Sequence, residues 1–234
     1  MTYNNLFHVH TFRCGHAEKE TDTDYIEKAI SLKANSLYFT DHAPFPGNIF
    51  GNRMRIEELD EYIKTLTSLK EKYQSQIDVK IGLEIEYIPS FMSYYEHLKD
   101  KYNLHLFLGQ HICLFQGHYN FEYQDKSEEY KWMTDSILEA LDTRLFDVLL
   151  HPERIYKNSK EWEKEQEQSA KVILQAAENQ NIPIEYNYSS INTNNIKYWH
   201  EKFWKITKQN RIVYGIDAHS TKELSDGTHF FRNL

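Results

Sequence analysis

Seven short apolar runs, rich in β-branched and aromatic residues, recur along the chain, and a histidine or a carboxylate recurs near, at or just past their C-terminal ends. The runs cover residues 6–10, 36–40, 79–87, 104–111, 146–151, 182–187 and 211–217. Longer segments with helical spacing lie between most of them. The clearest is 56–73, where Ile56, Leu59, Tyr62, Ile63, Leu66, Leu69 and Tyr73 share one face. Segments 22–31, 130–141, 161–180 and 194–208 read as further helices, with Asp22 and either Thr193 or Asn194 as N-cap candidates, and 89–99 as a shorter one. Residues 48–55 read as a loop able to reach over a site. Strand followed by helix, repeated, is the pattern of βα units joined into a parallel sheet.

With 234 residues the chain falls near the about 250 typical of a single α/β barrel, and no repeat or Gly/Ser/Pro-rich linker divides it. One domain spanning 1–234 is therefore expected. A composition of 40% hydrophobic and 26% charged residues supports a packed core. The net charge of −8 leaves no basic footprint for nucleic acid. No apolar stretch approaches the about 20 residues that span a bilayer, and residues 1–6 carry no apolar signal core, so no membrane partner is expected and a cytoplasmic location is. Cys14 and Cys113 are too few for a disulfide framework and read as buried small side chains.

Of the twelve histidines, seven (His8, His10, His16, His42, His111, His151 and His219) fall at or just past the C-terminal end of a predicted strand. Asp41, Glu84 and Asp217 fall at the same ends. In an α/β barrel the active site forms there, because the βα loops converge around the axis. In His8-Val9-His10 the period of two puts both imidazoles on one strand face. Glu84 interrupts a buried apolar run, which is costly unless the carboxylate is paired or metal-bound, although Glu86 has the same parity. Each motif alone also reads as a polar edge strand, a capping turn or a satisfied core histidine. Their recurrence at strand ends points to metal binding.

Imidazole suits Zn, Fe or Mn and carboxylate suits Mn, Fe or Mg, so the ion's identity stays open. Nine candidate ligands are too many for one tetrahedral ion and suit two or three divalent ions bridged by a carboxylate. Two ions about 3.5–4 Å apart generate a hydroxide near neutral pH and clamp the oxygens of an in-line displacement.

At these motifs the sequence resembles the polymerase and histidinol phosphatase (PHP) family, within it the histidinol phosphatase branch. The carrying segments are His8-Val9-His10-Thr11 through Cys14-Gly15-His16-Ala17, Thr40-Asp41-His42-Ala43-Pro44, Gly82-Leu83-Glu84-Ile85-Glu86-Tyr87, His151-Pro152-Glu153 and Gly215-Ile216-Asp217-Ala218-His219-Ser220. The stretch from Arg53 to Tyr62 resembles the branch in particular. The resemblance implies a distorted, TIM-like barrel of seven βα units and commonly three metal ions. It implies a first ion on His8, His10, Glu84 and Asp217, a second on Glu84, His111 and His151, and a third on His16, His42 and His219. Asp41 would orient a ligating imidazole from behind.

The implied activity is phosphomonoester hydrolysis, with L-histidinol phosphate, a small phosphorylated metabolite of histidine biosynthesis, as substrate and a metal-bridging hydroxide as nucleophile. Glu84 and Asp217 would carry the reaction through the metals. Arg154, three residues past His151, is the first candidate to hold phosphate oxygens, since a guanidinium meets them bidentately. Arg13, Arg53 and Arg55 are further candidates, and Glu185 is a candidate for the substrate's amino group. Competing readings are another PHP phosphoesterase, acting on phosphotyrosine or nucleotides, and a metal-bound module without catalysis. An amidohydrolase barrel would bring a metal-ligating lysine, and no lysine falls at a strand end here.

Overall fold

The computed structural model describes residues 3–119, 122, 125–192, 200–208 and 211–234. The strands are β1 (Asn5–Val9), β2 (Ser36–Phe39), β3 (Asp78–Ile85), β4 (His105–Leu108), β5 (Leu114–Phe115), β6 (His118–Tyr119), β7 (Val148–Leu149), β8 (Ile184–Asn187) and β9 (Ile212–Ala218). Seven of them close a parallel barrel in the order β1-β2-β3-β4-β7-β8-β9, each falling on one of the predicted runs. The helices are α1 (Asp22–Ser31), α2 (Leu59–Tyr73), α3 (Met92–Tyr102), α4 (Glu129–Thr143), α5 (Lys164–Asn179), α6 (Tyr188–Asn192), α7 (His200–Ile206) and α8 (Thr221–Arg232).

The chain divides into two compact units, one formed by Met1–Glu84, Asn187–Ser189 and Tyr214–Leu234, the other by Ile85–Tyr186 and Ser190–Val213. In the first, β1 pairs with β2 and with β9, and β2 pairs with β3, all in parallel. Leu6, Val9, Leu37, Phe39, Val79 and Leu83 are buried along these strands, as are Tyr25, Ile26 and Ala29 of α1 and Leu66 of α2. Burial of both faces explains why the runs read as continuous apolar stretches instead of alternating ones. The N-cap of α1 is Thr21, one residue before the expected Asp22. Thr21 and Asp24 form a capping box, and Asp22 sits inside the first turn, where a carboxylate favours the helix dipole. Helix α2 begins at Leu59 because 56–58 form a 3-10 turn. Helix α8 packs on α1. Gly227 permits its approach to the sheet, since a Cβ there would stand 2.5 Å from Cγ2 of Ile216.

In the second unit β7 pairs with β4 and β8, and α4 packs against α5. Strands β5 and β6, which the apolar runs do not signal, form a hairpin whose turn residues Gln116 and Gly117 have φ of 48° and 83°. That geometry is the two-residue hairpin turn matched to the twist of paired strands. The Thr193 and Asn194 capping position lies outside the described residues. None of the described helices is long and apolar enough to cross a membrane.

Candidate metal centre

The first unit gathers seven of the nine expected ligands, His8, His10, His16, His42, Glu84, Asp217 and His219. Both strands that supply the centre of the cluster are irregular at the ligand itself. Between Leu6↔Leu37 and Val9↔Phe39, β1 has one more residue than β2, and His8 within it has φ of 70°. Between Phe7↔Gly215 and Val9↔Ala218 the extra residue is on β9, and Asp217 there has φ of 59°. Such bulges with left-handed backbone re-aim a side chain at a cost, and they persist where a site needs them.

The re-aimed side chains meet. His8 Nε2 lies 3.0 Å from His10 Nε2, 3.1 Å from Glu84 Oε2 and 3.6 Å from Asp217 Oδ1. His10 Nε2 lies 3.2 Å from the same Glu84 oxygen and 3.3 Å from Asp217 Oδ1. His42 Nδ1 stands 3.3 Å from Glu84 Oε2, and a bridge between His42 and Glu84 extends the β2–β3 pairing to this point. One carboxylate oxygen thus faces three imidazoles. Ligand atoms about 2.0–2.2 Å from a tetrahedral ion stand about 3.3–3.6 Å from one another, so these spacings match the edges of a coordination polyhedron. His16, His42 and His219 form a further triad, with the His219 ring 4.6 Å from His16 and 4.4 Å from His10. His16 and His219 are each oriented by an Nδ1 contact to a backbone carbonyl, of Cys14 at 3.0 Å and Asp217 at 3.1 Å, which leaves Nε2 as their ligating atom.

Electrostatics agree with a site for positive charge. Burial lowers the His10 pKa, but hydrogen bonds to Asp217 and Glu84 outweigh it and raise the value to about 9. Burial, with His10 adding, pushes His219 down to about 3, so that imidazole stays neutral and able to ligate. His10 Nδ1 and His219 Nε2 are buried and have no hydrogen-bond partner among the described residues. The donor set and these orphaned nitrogens fit divalent ions.

Among the described residues, Asp41 meets no imidazole at hydrogen-bond distance. Its two oxygens accept the N–H and O–H of Thr11 at 2.7 and 2.8 Å, fixing the backbone immediately after His10. Arg13 joins this network through Thr11 Oγ1 and makes a bidentate pair with Asp22 at 2.7 and 3.0 Å, which removes it from the substrate candidates. Neither Thr11 nor Asp22 stood out as a site residue in the sequence, where Thr11 figures only within the His8-Val9-His10-Thr11 motif and Asp22 only as an N-cap candidate. Arg53 donates to the carbonyls of Gly51 and Ala43, both at 3.3 Å, and so ties its loop to the residue after His42. Arg55 is exposed and lies 3.3 Å from Glu57.

In the second unit the His111 and His151 rings are 4.8 Å apart. His151, with φ of 24°, donates its backbone N–H to Glu185 Oε2 at 2.9 Å. Glu185 is fully buried, and its carboxylate anchors a strained backbone instead of standing open to a substrate amine. Arg154 lies in the 3-10 turn Pro152–Tyr156 and donates from Nε to Ser190 Oγ at 2.9 Å. Glu86 is buried here too, and its backbone carbonyl accepts from Tyr95.

A sequence model of the PHP domain matches residues 7–189. The histidinol-phosphatase of Bacillus subtilis is 33% identical over 90 residues, covering 36% of this chain and 34% of that protein, so the match spans about a third of the curated relative's length. A histidinol phosphatase candidate of Listeria monocytogenes superposes with a TM-score of 0.79 at 18% identity over 97% of this chain and 99% of its own. The histidinol phosphate phosphatase of Lactococcus lactis, solved with zinc, L-histidinol and phosphate, superposes with a TM-score of 0.75 at 19% identity over 99% of this chain and 92% of its own. At these identities the two structures establish a shared fold.

Proposed function

Because the chain belongs to the PHP domain family, we propose that it is a metal-dependent phosphomonoesterase whose substrate is L-histidinol phosphate, released as L-histidinol and phosphate. The observation that carries this reading is Glu84 Oε2, which faces His8, His10 and His42 at 3.1, 3.2 and 3.3 Å. A carboxylate buried against three imidazoles serves a multinuclear centre better than it serves folding, because each desolvated polar group is costly until an ion or a proton satisfies it.

His8, His10, Glu84 and Asp217 are the ligands we assign to one ion, and His16, His42 and His219 those of another. His111 and His151 are the candidates for a further one. Divalent ions bound there supply Lewis acidity and a nucleophile available at neutral pH. Zinc is favoured by the imidazole-rich set and by the zinc bound to the Lactococcus lactis protein, with manganese and iron as alternatives. The protein's own contribution is positioning. The bulges at His8 and Asp217 aim the ligands, Asp41 and Thr11 lock the backbone after His10, and Glu185 locks that of His151. Arg154, steadied by Ser190, is the group we assign to the phosphate oxygens. With Cys14 and Cys113 both free and buried, the chain suits the reducing cytoplasm.

Steady-state kinetics test the assignment. Histidinol phosphate should give at least a tenfold higher kcat/KM than p-nitrophenyl phosphate, the equivalent of about 1.4 kcal/mol of differential transition-state binding. If the generic ester is hydrolysed equally well, the histidinol assignment fails while phosphomonoesterase activity stands. Phosphotyrosine peptides and nucleoside monophosphates in the same screen separate the other PHP substrates.

A further inference from the structure

A polar cleft lies wholly within the second unit. Its walls include Arg144, Asp147, Asn179, Gln180, Asn181 and Arg211 around a volume of about 500 Å³. That is room for a small metabolite. Asp147 precedes β7 and Pro183 precedes β8, so the cleft opens at the N-terminal ends of these strands, whereas His151 follows the C-terminal end of β7.

Two guanidiniums line this cleft, and the carboxylate beside them is already taken. Asp147 Oδ2 accepts from Lys99 Nζ at 2.8 Å and from the backbone N–H of Leu106 at 2.9 Å, and His105 Nδ1 stands 3.6 Å away. Asp142 of α4 accepts from Gln180 Nε2 at 3.2 Å. Arg211 is braced by one bond, from Nη1 to the carbonyl of Asn181 at 3.0 Å, and its other N–H groups remain available as donors. Among the described residues the Arg144 guanidinium has no partner. With Asp147 paired to Lys99, two positive charges stand uncompensated in one concavity.

The backbone at Arg144 makes the residue type informative. Arg144 caps α4 in the left-handed region, with φ of 59°, where glycine or asparagine is the less costly choice. A cation near a helix C-terminus also favours the helix dipole. The last carbonyls of both helices are nevertheless capped without a guanidinium. In α4, Leu141 accepts from the Arg144 backbone N–H at 3.2 Å and Ala140 from Thr143 Oγ1 at 2.6 Å. In α5, Ala176, Ala177 and Glu178 accept from the backbone N–H groups of Gln180, Ile182 and Asn181 at 3.0, 2.9 and 3.0 Å.

We propose that Arg144 and Arg211 form a binding site for a small dianion whose oxygens belong to phosphate or carboxylate groups. Guanidinium matches both in a planar, bidentate fashion. The site is separate from the metal centre and does not rest on the phosphatase reading.

The experiment titrates ¹⁵N-labelled, metal-loaded protein with inorganic phosphate and, separately, with succinate. It follows the Nε–Hε resonances of Arg144 and Arg211, assigned by their loss in Arg144→Gln and Arg211→Gln, so that phosphate held by metal ions is not what is read. Both resonances should move saturably with at least one of the anions, with half-saturation below about 10 mM. Each single substitution should weaken that binding about tenfold, read on the arginine that remains, which is the size of one charge-assisted hydrogen bond. Arg144→Gly, which suits the positive φ, takes the place of the glutamine variant should that one not fold. Movement with phosphate alone assigns the site to phosphoryl groups, with succinate alone to carboxylates, and with both to oxyanions in general. No saturable movement below about 10 mM with either anion, or binding that substitution of Arg144 leaves unchanged, overturns the proposal.

Discussion

His8 Nε2 and Asp217 Oδ1 lie 3.6 Å apart, and each residue is the extra one in a bulge of its strand, with φ of 70° and 59°. Neither position favours a side chain with a Cβ in that conformation, and strain of this kind costs on the order of 1–3 kcal/mol per residue. The strain is concentrated at the two ends of one contact. It is offset when an ion draws both side chains onto a common centre.

Glu84→Gln should lower activity by more than about 100-fold, beyond the about 10–100-fold that follows loss of an outer partner of a ligand. The amide keeps the shape and loses the anionic oxygen that faces His8, His10 and His42. Glu86→Gln should cost less and keep its metal. Kinetics together with elemental analysis of both variants decide the matter, and equal losses would mean that Glu86 also ligates.

Removing the metals should destabilise the fold. An ion bound only to the native state at 100 times its dissociation constant adds about 2.7 kcal/mol. Thermal melts after chelation should fall, and adding back zinc or manganese should restore them. Coincident melts before and after chelation would count against a resident centre.

Asp41→Asn and Thr11→Val each weaken the paired hydrogen bonds that fix the backbone after His10, the first by removing the carboxylate's charge and the second by removing the Thr11 hydroxyl. Hydrogen bonds to a charged group are worth about 1.5–3 kcal/mol, so urea midpoints should drop accordingly. Activity should fall about 10–100-fold even where folding is complete, as for other groups that orient ligands. Full activity in either variant would show that His10 needs no such support.

Glu153 gives a pH dependence with a definite sign. Burial lifts its carboxyl from 4.5 to about 7, with Arg154 opposing and Glu185 adding. The folded state holds this proton more tightly than the unfolded chain, so the stability it contributes is complete below pH 4.5 and is lost as pH rises through about 7. Glu153→Gln should flatten that decline. Urea unfolding at pH 5 and pH 8 reads it, and parallel profiles for wild type and variant would exclude Glu153 as the source.

The barrel was legible because each strand, buried on both faces, left a continuous apolar run, and the histidines were legible because they interrupt or end such runs. Helix α8 left a weaker trace: Leu224, Thr228 and Phe231 keep helical spacing, but Gly227 and the polar residues around it dilute the pattern. The β5–β6 hairpin has only two residues per strand, too short for any period. What spacing could not give was side-chain direction. Asp41 and Arg13 stand at the right strand end, and only three-dimensional packing shows that Thr11 and Asp22 claim them. The bulges at His8 and Asp217 were likewise invisible, because the two-residue period assumes a regular strand.

The pairing of β1 with β9 joins parts of the sequence more than two hundred residues apart. A growing polypeptide therefore exposes His8 and His10 long before it has synthesised Asp217 and His219, and the early segment alone offers an ion an incomplete set of donors. Closing so long a loop carries an entropic cost that local metal-binding turns avoid. Metal uptake should accordingly trail backbone folding in time, so that a cell's ions are captured only by chains whose first and ninth strands have already met.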